Sequence, residues 1–61
     1  MTDDEERWAE ALAINCRYGT DAEQHIAERM THLARAGDTA GVHRWRQIAA
    51  RHDLLLSGTL Q

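Results

Sequence analysis

Ala36-Gly37-Asp38-Thr39 reads as the end of one helix and the start of the next. Glycine adopts the left-handed backbone that closes a helix without a Cβ penalty. Asp38 and Thr39, directly behind it, are residue types that cap a new helix. The same punctuation occurs earlier, in Gly19-Thr20-Asp21. The two glycines divide the 61 residues into three segments of similar length, and each segment carries the periodicity of one amphipathic helix.

The first segment is expected to be helical over residues 3–18. Thr2 and Glu5 have capping-box spacing, and the acidic run Asp3-Asp4-Glu5-Glu6 suits the positive end of the helix dipole, with Arg17 near the other end. At 100° per residue Trp8, Ala11, Leu12, Cys16 and Tyr18 form a broad apolar face that includes Asn15, while Ile14 falls to one side. The second helix is expected over 21–36. Thr20 and Glu23 repeat the capping-box spacing, with Asp21 as an alternative cap. Ala22, Ile26, Met30, Leu33 and Ala34 make its stripe, opposite Gln24, Glu28, Thr31 and Arg35. The third is expected over 39–55, or one residue further, with Val42, Trp45, Ile48, Ala49, His52, Leu55 and Leu56 on one face. Gly41 in its first turn leaves room for another backbone to approach.

Residues 1–56 thus read as a single all-α domain and residues 57–61 as a fraying tail. Short links favour antiparallel neighbours, so an up-down-up three-helix bundle is the simplest topology. The rival is a two-helix hairpin crossed by the third helix, which exposes more apolar surface.

A domain of this size buries only roughly 60% of its unfolded surface, and small folds need a disulfide, a metal, very good packing or a partner. Cys16 is the single cysteine, so no internal disulfide forms, and it reads as a buried, reduced, small apolar residue. The large aromatics are Trp8, Tyr18 and Trp45, with no phenylalanine, and the remaining apolar content is mostly alanine. Self-association is a natural supplement to so thin a core. The formal net charge of -3 opposes a general attraction to nucleic acid. All seven cations are arginines, as in proteins from GC-rich genomes. No apolar run approaches the roughly 20 residues of a membrane span. The acidic N-terminus is unlike a signal peptide, so a cytoplasmic protein is expected.

Several constellations of polar residues bear on chemistry. His25, Glu28 and His32 fall on one side of the second helix, and Glu28 to His32 has a spacing at which two ligands share a metal. No third or fourth ligand accompanies them, and a hydrated helix face accounts for the trio. His52, on an apolar stripe, reads as a core or interface histidine with one hydrogen bond to a carboxylate or carbonyl. Arg44, Arg46 and Arg51, with His43, make a local basic patch. It serves either a helix-turn-helix contact with DNA or salt bridges to the acidic first helix. Phosphate loops, nucleophile elbows and paired catalytic carboxylates are absent from the sequence, so no catalysis and no cofactor are expected.

The run Ala34-Arg35-Ala36-Gly37-Asp38-Thr39-Ala40-Gly41-Val42-His43-Arg44-Trp45-Arg46-Gln47-Ile48-Ala49, with Trp8-Ala9-Glu10-Ala11-Leu12 before it, resembles an uncharacterised family of short all-helical proteins from alphaproteobacterial genomes. The resemblance covers about Trp8 to Leu54. It implies a helical fold and brings no assigned activity, catalytic residue or cofactor. The resulting expectation is a cytoplasmic helical interaction or regulatory module, in most readings a homodimer. Its core and interface comprise Trp8, Leu12, Ile26, Met30, Leu33, Trp45, Ile48, His52 and Leu55. The alternative is a small DNA-binding regulator that uses Arg44, Arg46 and Arg51.

Overall fold

A computed structural model describes residues 2–58. Three α-helices follow one another: α1 over Asp3–Tyr18, α2 over Ala22–Arg35 and α3 over Thr39–Ser57, with a single 3-10 turn, Gly19–Asp21, between the first two. All regular structure among the described residues is helical. Within the expected tail, Ser57 completes α3 and Gly58 caps it in the left-handed conformation (φ 70°), while residues 59–61 lie outside the described residues.

The Ala36–Asp38 link is built as its sequence suggests. Gly37 has φ 76°. Its N–H donates to Ala34 O (3.1 Å), and the Asp38 N–H donates to Leu33 O (3.0 Å). This pair of bonds is the Schellman closure, which satisfies carbonyls left open at the end of α2. Asp38 then caps α3 through Oδ1, which accepts from the Gly41 N–H at 2.8 Å. Gly41 has a different purpose from the one expected. The atoms nearest to it belong to side chains. A Cβ there would lie 2.6 Å from Asp38 Oδ2 and 3.1 Å from Leu33 Cδ2, so the absent side chain makes room for the cap.

At α1 the Thr2 cap forms, with Oγ1 accepting from the Glu5 N–H at 3.2 Å. The expected cap of α2 does not. Neither Thr20 nor Asp21 caps it through its side chain, because the 3-10 turn feeds its own backbone bonds into α2. Gly19 ends α1 with φ 55° and ψ -122°, and the chain re-enters helical geometry at once.

The packing follows from that difference. α2 and α3 form an antiparallel hairpin, whereas α1 touches α2 little and packs on α3. Asp4, Trp8 and Asn15, on one flank of α1, meet Arg51 and His52 toward the end of α3. Arg7 and Glu10, on the other flank, meet Gln47 and Arg44 nearer its start. When the two flanks of one helix map onto two levels of another, the first helix lies across the second. The up-down-up arrangement is therefore replaced by the crossed hairpin, a flat body of 37 × 27 × 17 Å.

Each helix contributes one residue to the centre: Ala11, Ile26 and Ile48. Ala11 is fully buried, and its small side chain lets α1 lie close over Ile48. Ile14, Met30, Trp45, Ala49 and Leu55 pack around this cluster. Ile14, which falls to one side of the apolar face by periodicity, thus packs on the core. Three residues of the expected core and interface lie outside this cluster. Leu12 is 52% exposed, and Trp8 and Leu33 are half-buried outside the central cluster. Cys16 is exposed rather than buried, as are Ala34 and Leu56. The apolar arc of α1 is wider than the strip α3 covers, so Leu12 and Cys16 fall beyond its edge.

Candidate functional site

A polar seam joins α1 to α3. Arg7 Nη1 donates to Glu10 Oε1 (2.6 Å) and its Nε donates to Gln47 Oε1 (3.0 Å). Arg44 Nη2 donates to the other Glu10 oxygen at 2.5 Å. One carboxylate is thus held by two guanidinium groups from two helices. Burial pushes the Glu10 carboxyl up, but the hydrogen bonds and charges of Arg44 and Arg7 outweigh it and hold the group below its ordinary value of 4.5. Arg44 is correspondingly raised, chiefly by its hydrogen bond to Glu10. Further along, Arg51 donates to Asp4 at 2.5 Å and lies over the Trp8 ring at 5.8 Å, so the half-buried tryptophan packs beneath a guanidinium. Two of the three arginines considered for nucleic acid, Arg44 and Arg51, are therefore engaged by acidic residues of α1. Arg46 is exposed on the other side of α3.

On the hairpin side, His25 does not stand with Glu28 and His32 on a hydrated face. Its ring stacks on Tyr18 at 4.0 Å and meets Trp45 edge-on at 5.8 Å, which ties the end of α1 to both other helices. Arg29 lies over Trp45 at 5.7 Å. Glu28 accepts from Gln24 and His32 is exposed, so the trio does not converge on one point. Among the described residues no group of three metal-ligating side chains comes together.

His52 is 2% exposed, the one buried polar side chain among the described residues. Its Nε2 donates to Asn15 Oδ1 at 3.2 Å. This is the carbonyl partner expected for a core histidine, and it lies on α1. The signal was present in Asn15, a polar residue within an apolar arc, although the sequence does not pair the two.

The remaining feature is a surface. An open groove of about 700 Å³ runs between the start of α2 and the end of α3, lined by Glu23, Ala50, Asp53, Leu54, Leu56 and Ser57. Leu54 and Leu56 are 41% and 55% exposed. The stripe reading of α3 missed this surface, because Leu54 and Ala50 point away from the core-facing side.

No helix among the described residues is long and apolar enough to cross a membrane. A model for a family of unknown function, DUF6961, matches residues 3–58. No curated protein and no solved structure matches the chain.

Proposed function

The chain belongs to the DUF6961 family of unknown function, and we propose that it is a small non-catalytic interaction module that associates with a second copy of itself. One observation carries this reading: the apolar surface is distributed the wrong way for a self-sufficient monomer. The buried apolar residues are Ala11, Ala22, Ile26 and Ile48, two of them alanines, while Leu12, Leu54 and Leu56 are exposed. Covering a leucine stabilises by about 1.5–3 kcal/mol, a large amount against the roughly 3–5 kcal/mol that one core of this size supplies. Glu10, His25 and His52 each join two or three helices, a structural use that supports a non-catalytic reading. The module is proposed to be cytoplasmic and, as the family resemblance implies, alphaproteobacterial; the arginine-only cation set suits a GC-rich genome.

Light scattering across a concentration series tests the reading. The expected result is a mass rising from 6.9 kDa toward twice that value. A monomer up to about 1 mM, the range in which even weak association registers, would refute it. The DNA-binding alternative needs Arg44, Arg46 and Arg51 together. Glu10 and Asp4 already hold two of them, which counts against it. Its test is salt-dependent retention on DNA that is lost when the three arginines are replaced.

A further inference from the structure

The outward face of α3 carries two charged side chains, Arg46 and Asp53, that are unpaired among the described residues. At 100° and 1.5 Å per residue, His43, Arg46, Ala50 and Asp53 lie along one stripe of that face. All four are exposed. Arg46 and Asp53 are about 10 Å apart along the axis, too far to pair with each other. Neither of them, nor Glu23 across the groove, has a hydrogen-bond or ion-pair partner among the described residues. This contrasts with the other side of α3, where Arg44 and Arg51 are both matched by carboxylates of α1.

The groove beside the stripe has the chemistry of an arginine receptor. Ala50, Leu54 and Leu56 offer an apolar surface for the methylenes of the side chain, and Glu23 and Asp53 stand on the rim to receive a guanidinium. The stripe is also self-complementary. If a second copy is turned by 180° about an axis through Ala50, its α3 runs antiparallel to the first. Residues before Ala50 on one chain then face residues after Ala50 on the other. Arg46, four positions before, meets Asp53 and Leu54, three and four positions after. The small Ala50 side chain at the axis lets the two helices come close.

We propose that two copies of this chain pair α3 against α3 about Ala50, with Arg46 of each entering the Glu23–Asp53 groove of the other. The interface is isologous, so every contact occurs twice and the assembly closes as a dimer. It also covers the exposed Leu54, which lies next to Ala50 on that face. This inference rests on the self-association reading above and assigns it a surface. His43 and Arg46, cationic or polar, lie on one side of the axis and Asp53 on the other, so a copy docked in parallel would align like charges instead.

Charge reversal tests the surface by sedimentation equilibrium or light scattering. Arg46→Asp and Asp53→Arg should each weaken dimerisation about tenfold or more, since each turns two attractive pairs into two repulsive ones. An equimolar mixture of the two variants should regain the dimer mass, because each mixed pair restores both opposite-charge contacts. Both positions are exposed, and unchanged helical circular dichroism confirms that each variant is folded. A wild-type dimer that persists unchanged in Arg46→Asp would overturn this interface while leaving self-association intact. Single variants that lose the dimer but do not recover it on mixing would also overturn it. A wild-type monomer up to about 1 mM would overturn both readings.

Discussion

Replacing Asn15 by alanine should destabilise the protein, although alanine is the better helix former. Asn15 Oδ1 is the acceptor for His52 Nε2, and His52 is 2% exposed, so water cannot take over that bond. A buried donor left without a partner costs about 1–3 kcal/mol. The change to alanine returns about 0.6 kcal/mol of helix propensity. The net loss is therefore about 0.5–2.5 kcal/mol. At its midpoint this lowers the melting temperature by about 4–20 °C in a domain of this size. The assay is thermal unfolding followed by far-ultraviolet circular dichroism, in two backgrounds. In His52→Leu, where no donor remains to be orphaned, the same Asn15→Ala change should be neutral or stabilising by about 0.6 kcal/mol. The difference between the backgrounds is the coupling energy, about 1–3 kcal/mol. If Asn15→Ala shifts the melting temperature equally in both, the two side chains are not coupled. The placement of α1 across α3 would then lose its main buried polar link.

Trp45 packs on the core, meets His25 edge-on and lies beneath Arg29. Trp45→Ala, at a cost of about 3 kcal/mol or more, should leave the chain unfolded or dissociated at 25 °C. Retained helical ellipticity and wild-type mass would contradict this. Asp38→Ala removes the α3 cap to the Gly41 N–H and should cost about 1 kcal/mol in urea unfolding. The Glu10 carboxyl is held below 4.5 by Arg44 and Arg7 against the opposing effect of burial. Its contribution is thus fully present above the unfolded value and is lost as pH falls through the lower folded value. Melting temperatures should drop on acidification below about pH 4.5, and Glu10→Gln should shallow that drop.

Much of the helical framework was legible because helix ends are local events. The Gly37–Asp38 link needs a left-handed residue followed by a capping carboxylate, and both stand adjacent in the chain. The Thr2 cap involves residues three apart. The start of α2 was misread for an equally local reason. Thr20 and Glu23 have the spacing of a capping box, but the 3-10 turn supplies backbone partners first. Gly19 marked a break correctly and still left the direction of the chain after it open.

The sequence by itself determined three helices, their approximate ends and the central roles of Ile26, Ile48 and His52, since periodicity and capping act over one or two turns. Only the tertiary structure decided that α1 crosses α3. That crossing joins Asp4 to Arg51, Glu10 to Arg44 and Asn15 to His52 across separations of 47, 34 and 37 residues. It also moved Leu12 and Cys16 from an expected core face to the surface. The physical reason is that an amphipathic arc states which residues prefer burial, while the angle between two helices sets how wide a strip is covered. Here α1 crosses α3 over Ala11, and apolar residues beyond the covered strip remain available to a partner.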